Sequence, residues 1–184
     1  MKKIMTGNYD NCKTGNLVSI SGDRGRLKDF VGESKMSLAP KKDFWKIWHD
    51  NIGNIDEEDN TRFYVREYYK NVLSKIDPKE LYDSLKDETI LLCYENNTDF
   101  CHRHLVAFYL ELFLGIKTSE VRVNSKRQTY HCLERPDYLK KILEDEIKRE
   151  YDMHGFDDLI DAYNLETCKI TPLKYKLDLK SLTK

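Results

Sequence analysis

The sequence predicts an α/β sandwich with a mostly parallel sheet and a mainly helical C-terminal extension. Three observations carry that expectation. Ile90-Leu91-Leu92-Cys93 is a short apolar run with the length and character of a strand buried on both faces. A polar loop follows it, and then a stretch with Leu105, Phe108 and Leu112 at helical spacing. Along the whole chain the segments run strand, strand, helices, strand, helix, strand, which suits a right-handed parallel sheet.

Taken in order, Lys2–Thr6 reads as the first strand, ending in the small and polar Thr6-Gly7-Asn8-Tyr9 turn. Leu17–Ser21 alternates apolar and small polar residues as a second strand. Its end, Ser21-Gly22-Asp23-Arg24-Gly25, can hold phosphate through backbone N–H groups and Arg24, though two glycines fall short of a recognised phosphate-loop spacing. Residues 32–40 form a loop long enough to fold over a site. A helix starting at Asp43 puts Phe44, Ile47 and Trp48 on one face; Trp45 and Trp48 suit either core packing or stacking on a base. An acidic connector, residues 51–60, leads into a Tyr-rich helix running from Glu57 or Asp59 to about Ser74, with Phe63, Tyr64, Tyr68, Tyr69, Val72 and Leu73. Asp77-Pro78 starts the next helix as N-cap and first residue, with Leu81, Tyr82 and Leu85 as its buried stripe.

Beyond the central strand and helix, Gly115 is a natural C-cap, and Ser119–Asn124 alternates as a strand with Val121 and Val123 inward. Ser125–His131 is expected as a locally basic loop. Pro136 opens a charged helix to about Tyr151 with Leu139, Ile142, Leu143 and Ile147 as its apolar face. A short helix around Asp157–Tyr163 and two alternating segments after it, an edge strand or a dimerising arm, complete the chain. The division expected is a main domain over residues 1–124 and an extension over 125–184 packed on it.

Chemistry concentrates where the central strand hands over to its helix. Asp99 is the expected N-cap, and Cys101, His102, Arg103 and His104 fill the first turn. In an open α/β sheet, ligands bind where strands end and helices begin, because free N–H groups and the helix dipole favour an anion there. A Cys at a helix start beside His and Arg has a lowered thiol pKa, so Cys101 is the best nucleophile candidate. His102 or His104 can act as acid or base, and Arg103 offers a planar fork of donors for phosphate or carboxylate. Cys93 ends the strand as a neighbour of the site or as a small buried hydrophobe, with Glu95 at the rim. A zinc site drawn from Cys93, Cys101, His102 and His104, at most three of them convenient ligands and Cys93, Cys101 and His104 the set favoured, is the metal alternative; the Gly-x-Gly-x-x-Gly fingerprint is missing, so a nicotinamide dinucleotide bound in the usual way is not expected, and the cofactor is otherwise left open.

Leu91-Leu92-Cys93-Tyr94-Glu95 followed by Phe100-Cys101-His102-Arg103-His104-Leu105-Val106-Ala107 resembles the hallmark of domain of unknown function 488, a bacterial, archaeal and phage family. Ser19-Ile20-Ser21 with Arg24, Leu38-Ala39-Pro40, and Phe63-Tyr64 through Leu73–Pro78 match the same pattern, so the resemblance covers about residues 1–123. It implies a Rossmann-like three-layer sandwich. It also adds Thr6 and Asn8, at the end of the first strand, and Tyr64, at an aromatic position of the pattern, to the ligand-binding candidates Arg103, Glu95, Arg24, Ser21 and Cys93. The family's activity is unsettled.

Composition limits the partners. With 31 basic against 32 acidic residues the net charge is −1, which gives a general nucleic-acid or membrane binder no support. Lys126 and Arg127 are the local exception. No apolar stretch nears the ~20 residues of a membrane span and the first residues lack a signal-peptide core, so a cytoplasmic protein is expected. Its five Cys (Cys12, Cys93, Cys101, Cys132, Cys168) are then reduced. The expected partner is a phosphate-bearing small molecule or nucleotide, held in a pocket where Cys101 and His102 are the catalytic candidates of a thiol-dependent enzyme. The alternatives are a nucleic-acid accessory protein of phage or mobile-element type and a non-catalytic interaction module. Oligomeric state is left open.

Overall fold

The structure, a computed structural model, describes residues 2–154. Its strands are β1 (Ile4–Asn8), β2 (Asn16–Ser19), β3 (Glu33–Ser34), β4 (Thr89–Cys93), β5 (Thr118–Asn124) and β6 (Thr129–Leu133), in the spatial order β3-β2-β4-β1-β5-β6. Every neighbouring pair is parallel except β5 with β6. The α-helices are α1 (Lys42–Asn51), α2 (Glu57–Asn71), α3 (Pro78–Ser84), α4 (His102–Leu114) and α5 (Tyr138–His154).

Strands β1 and β4 sit at the centre, in register from Ile4 against Thr89 to Asn8 against Cys93, and every residue of both is buried. A strand covered on both faces needs an unbroken buried run, which is why Ile90–Cys93 shows no polar alternation. On one face Ile4, Val18 and Leu91 meet side chains from all five helices, among them Phe44, Tyr68, Leu81, Phe108 and Leu143. On the other, Met5, Ile90, Leu92 and Val121 are closed over by Tyr9 and Cys12, with Phe30, Tyr94 and Tyr130 packed against them. The sheet is therefore the middle of three layers, the second outer layer being built by loop side chains.

Local signals set the helix ends. Asp56 accepts hydrogen bonds from the Glu58 and Asp59 amides ahead of α2, and Asp77 accepts from the Glu80 amide ahead of Pro78 in α3. Gly115 closes α4 with φ of 62°, a left-handed cap that a Cβ would strain. Leu139, Ile142, Leu143 and Ile147 of α5 enter the same core as side chains of the other four helices.

Three local expectations give way. The residue capping α4 is Cys101, and Asp99 instead accepts from the Asn96 side-chain amide at 3.0 Å, because the loop continues two residues further before the helix begins. Ile47 is 51% exposed, since the buried face of α1 is turned toward Phe44 and Trp48. Ser125–His131 is half of a hairpin: Asn124 Oδ1 accepts from the Lys126 and Arg127 amides, and the chain reverses into β6. The expected helix at Asp157–Tyr163 and the alternating segments after it lie outside the described residues. Among the described residues no helix is long and apolar enough to cross a membrane.

The strand order also positions a site. The chain leaves β2 toward β3 on one side and leaves β4 toward β5 on the other, so β2 and β4 are neighbours whose onward connections diverge. In open parallel sheets the crevice at such a reversal, beyond the carboxyl ends of the strands, is where ligands fit.

Candidate active site

A cleft of about 1130 Å³ opens at that reversal. Its floor is formed by Cys93 at the end of β4, by Glu95 after it, and by Cys101 and His102 at the start of α4. One wall is the loop after β2, Ser21 to Arg24; the other is Trp45, Trp48, Tyr64 and Phe100. Tyr68 anchors the third side by donating its hydroxyl to the Leu38 carbonyl at 2.6 Å, which holds Leu38-Ala39-Pro40 against α2.

On the floor, His102 fixes the geometry. Its Nε2 lies 3.0 Å from the Ile20 carbonyl oxygen, an atom that can only accept, so Nε2 carries a proton. Nδ1 is left facing two sulfurs, Cys93 Sγ at 3.8 Å and Cys101 Sγ at 3.9 Å. Cys101 Sγ also lies 2.8 Å from Glu95 Oε2, so that one proton can bridge the thiol and the carboxyl group. Burial works against a charged Cys101, but the Cys93 hydrogen bond and the Arg103 and His102 charges bring its thiol well below the ordinary range. Burial, with Cys101 beside it, holds Cys93 well above that range. Burial and the Cys101 charge push Glu95 up to about 7. Burial disfavours a charged His102, but the Cys101 charge and contact, the Glu95 charge and the Ile20 carbonyl together raise its pKa. The arrangement is a thiolate at a helix start, an adjacent imidazole and a carboxyl group able to carry a proton near neutral pH, the parts that nucleophilic catalysis with general acid assistance uses.

The other expected site residues fall into two groups. Arg24, Ser21 and Tyr64 border the cleft. Ser21 holds the loop together, its Oγ accepting from the Gly25 amide at 2.9 Å and lying 2.8 Å from the Tyr9 hydroxyl. Tyr64 is a wall, its ring edge-on to Phe44 and Phe100. Arg103, His104, Thr6 and Asn8 do not border the cleft. Arg103 is fully buried, with Nε and Nη2 on the Glu120 carboxylate at 3.3 and 3.1 Å and Nη2 donating to the Asn96 carbonyl at 2.7 Å. Thr6 donates to the same carboxylate at 2.6 Å, and Asn8 Oδ1 accepts from the Asn11 amide. The expected anion fork of Arg103 is thus committed to an internal acid and reaches the site as a charge behind Cys101.

His104 is likewise corrected as a metal ligand. Its ring lies 3.7 Å from Glu120 and away from the two sulfurs, and burial with the Arg103 charge lowers its pKa to about 3, so it is neutral. His102 is the imidazole that meets both thiols.

Glu120, Arg26, Lys41 and Lys42 were missed by sequence reasoning. Alternation in β5 puts Glu120 on the same side as the exposed Arg122, but α4 covers Glu120. The available signal was Arg103 itself, since an Arg flanked by buried residues demands an acidic partner. Arg24, Arg26, Lys41 and Lys42 ring the mouth of the cleft, and none has an acidic partner among the described residues. In a chain of net charge −1 that is a local concentration of cations.

Fold and site together define an α/β domain with a cysteine-histidine-carboxyl cluster at the floor of a cation-rimmed cleft. The chain belongs to the DUF488 family: the model described as the active DUF488-N3 subclade matches residues 17–112, just over half of its length. That segment contains the β2 loop, α1, β4 and the start of α4, and so every cleft residue named above. No curated protein and no solved structure matches the chain.

Proposed function

We propose that the cleft takes a phosphate-bearing small molecule, a nucleotide or nucleotide derivative, and that Cys101 acts on it as a nucleophile. The observation that carries this reading is the vertical order of the cleft: an activated thiol on the floor, aromatic faces along one wall and, at the mouth, cations with no acidic partner among the described residues. A base can lie against Trp45 and Trp48 while phosphate oxygens meet Arg24, Arg26, Lys41 or Lys42. The fitting chemistry is substitution through a covalent intermediate. The Cys101 sulfur bonds to an electrophilic centre, the leaving group departs with a proton from Glu95, and water then displaces the sulfur and returns the proton.

Thermal melting tests the ligand. A nucleoside phosphate present at about 100 times its Kd is expected to stabilise the protein by about 2.7 kcal/mol, or roughly 5–10 °C. Orthophosphate alone should do much less, and the shift should shrink in Arg24→Ala and Trp45→Ala. The same nucleotide should slow alkylation of Cys101. No shift with nucleoside mono-, di- or triphosphates, or an equal shift in both variants, would count against the reading. A steep salt-dependent affinity for single-stranded oligonucleotides together with no response to mononucleotides would replace it with nucleic-acid binding.

A further inference from the structure

The floor of the cleft carries a second capability. Cys93, Cys101 and His102 bring two Sγ atoms and Nδ1 within 4.8 Å of one another, all buried yet bordering the cleft. The two sulfur-to-nitrogen separations, 3.8 and 3.9 Å, are close to the edge of about 3.5 Å that a tetrahedral zinc site has when its bonds are about 2.3 Å to sulfur and 2.0–2.1 Å to nitrogen. Small side-chain movements would therefore gather all three donors around one ion. The imidazole is already oriented for it: the bond from Nε2–H to the Ile20 carbonyl turns Nδ1 toward the sulfurs, the outer-shell contact that imidazole ligands of metals commonly make.

Charge and softness agree with the geometry. Two thiolates balance the 2+ charge, the protons of Cys93 and of the Cys101–His102 pair passing to solvent, and the Arg103–Glu120 pair behind them is already balanced, so a bound ion leaves no stranded buried charge. Thiolate with imidazole selects Zn2+ over Mg2+ or Ca2+. The other described thiols lack such company: Cys12 donates to the Val121 carbonyl, and Cys132 is exposed on β6.

We propose that Cys93, Cys101 and His102 bind one Zn2+, with the fourth coordination position toward the cleft, and that zinc masks the Cys101 thiol. The masking rests on the nucleophile reading above; the binding does not. Zinc-bound and free-thiol forms are then alternative states of one site, and zinc availability sets how much protein can react.

The test uses the full chain stripped of metal and titrated with Zn2+ against a chromophoric zinc chelator. Expected are uptake of one equivalent at submicromolar affinity, a loss of at least about tenfold in Cys93→Ser and in His102→Ala, and no change in Cys132→Ser. Wild-type protein blocked at Cys101 by iodoacetamide should take up none, which reads the site without any substitution that affects folding. Zinc-loaded protein should alkylate at Cys101 at least about tenfold more slowly than the metal-free form, because the coordinated thiolate is no longer a free nucleophile. Failure of the wild type to hold zinc against the chelator, or undiminished uptake by the blocked protein, would overturn the site. Zinc binding with unchanged Cys101 alkylation would overturn the masking. A metal-free Cys101 that reacts no faster than the other thiols, in a protein that still takes up one zinc, would sink the nucleophile reading and leave the metal site standing.

Discussion

Glu120→Ala is expected to lower folding stability by about 3–5 kcal/mol, the usual cost of stranding one member of a buried ion pair. Among the described residues its carboxylate is the only acid within hydrogen-bond reach of Arg103, which is fully buried, and it also accepts from Thr6. Without it, the guanidinium keeps the Asn96 carbonyl as partner but loses its hydrogen-bonded carboxylate, and the acid left nearest to it is Glu95, 3.9 Å from Nη1. At about 2–4 °C per kcal/mol for a domain of this size, the midpoint of thermal unfolding should fall by roughly 10 °C. An Arg103→Leu, Glu120→Leu double variant should recover much of that loss, because it removes both charges together. A melting point within about 2 °C of wild type for Glu120→Ala would mean that water reaches Arg103 and that the pair is not the buried support described here.

His102→Ala is expected to slow alkylation of Cys101 at neutral pH at least about tenfold, because a thiol at its ordinary pKa is only a few per cent thiolate there. The imidazole contributes to the lowered Cys101 pKa through both its charge and its contact with the sulfur. Its loss leaves Arg103 and the Cys93 hydrogen bond as the remaining stabilisers of the thiolate. His104→Ala is the control: its neutral ring faces Glu120, so Cys101 should keep most of its reactivity. If His102→Ala reacted at the wild-type rate, the dyad would be a packing contact.

The position of the site was legible in the sequence, and its internal wiring was not. An apolar run followed by a polar loop and a helix start is enough to place Cys101 and His102 at the carboxyl end of a central strand, and Asp77-Pro78 and Gly115 fixed two helix boundaries by local chemistry alone. Choosing between His102 and His104 needed the direction of α4 relative to β2, because two residues along a helix point about 200° apart. Arg103 was read outward because a donor fork at a helix start suits an anion, whereas its partner, Glu120, lies 17 residues further along the chain. The rim cations had no motif at all: Arg24, Arg26, Lys41 and Lys42 come together only once the loop after β2 and the start of α1 face each other across the cleft. Strands β3 and β6 escaped notice for a related reason. The first is two residues long, and the second is mostly exposed, so neither shows a hydrophobic period.

The nucleophile reading stands on an activated Cys101 thiol open to the cleft. The direct measurement is the rate of iodoacetamide labelling of each cysteine in metal-free protein near pH 7, followed by peptide mass spectrometry. Accessibility alone would put the exposed Cys132 first and leave Cys101, only 2% exposed, among the slow ones. An activated thiol reverses that order, with Cys101 labelled at least about tenfold faster than Cys132. Labelling of Cys132 ahead of a Cys101 that reacts no faster than the buried Cys12 would contradict it.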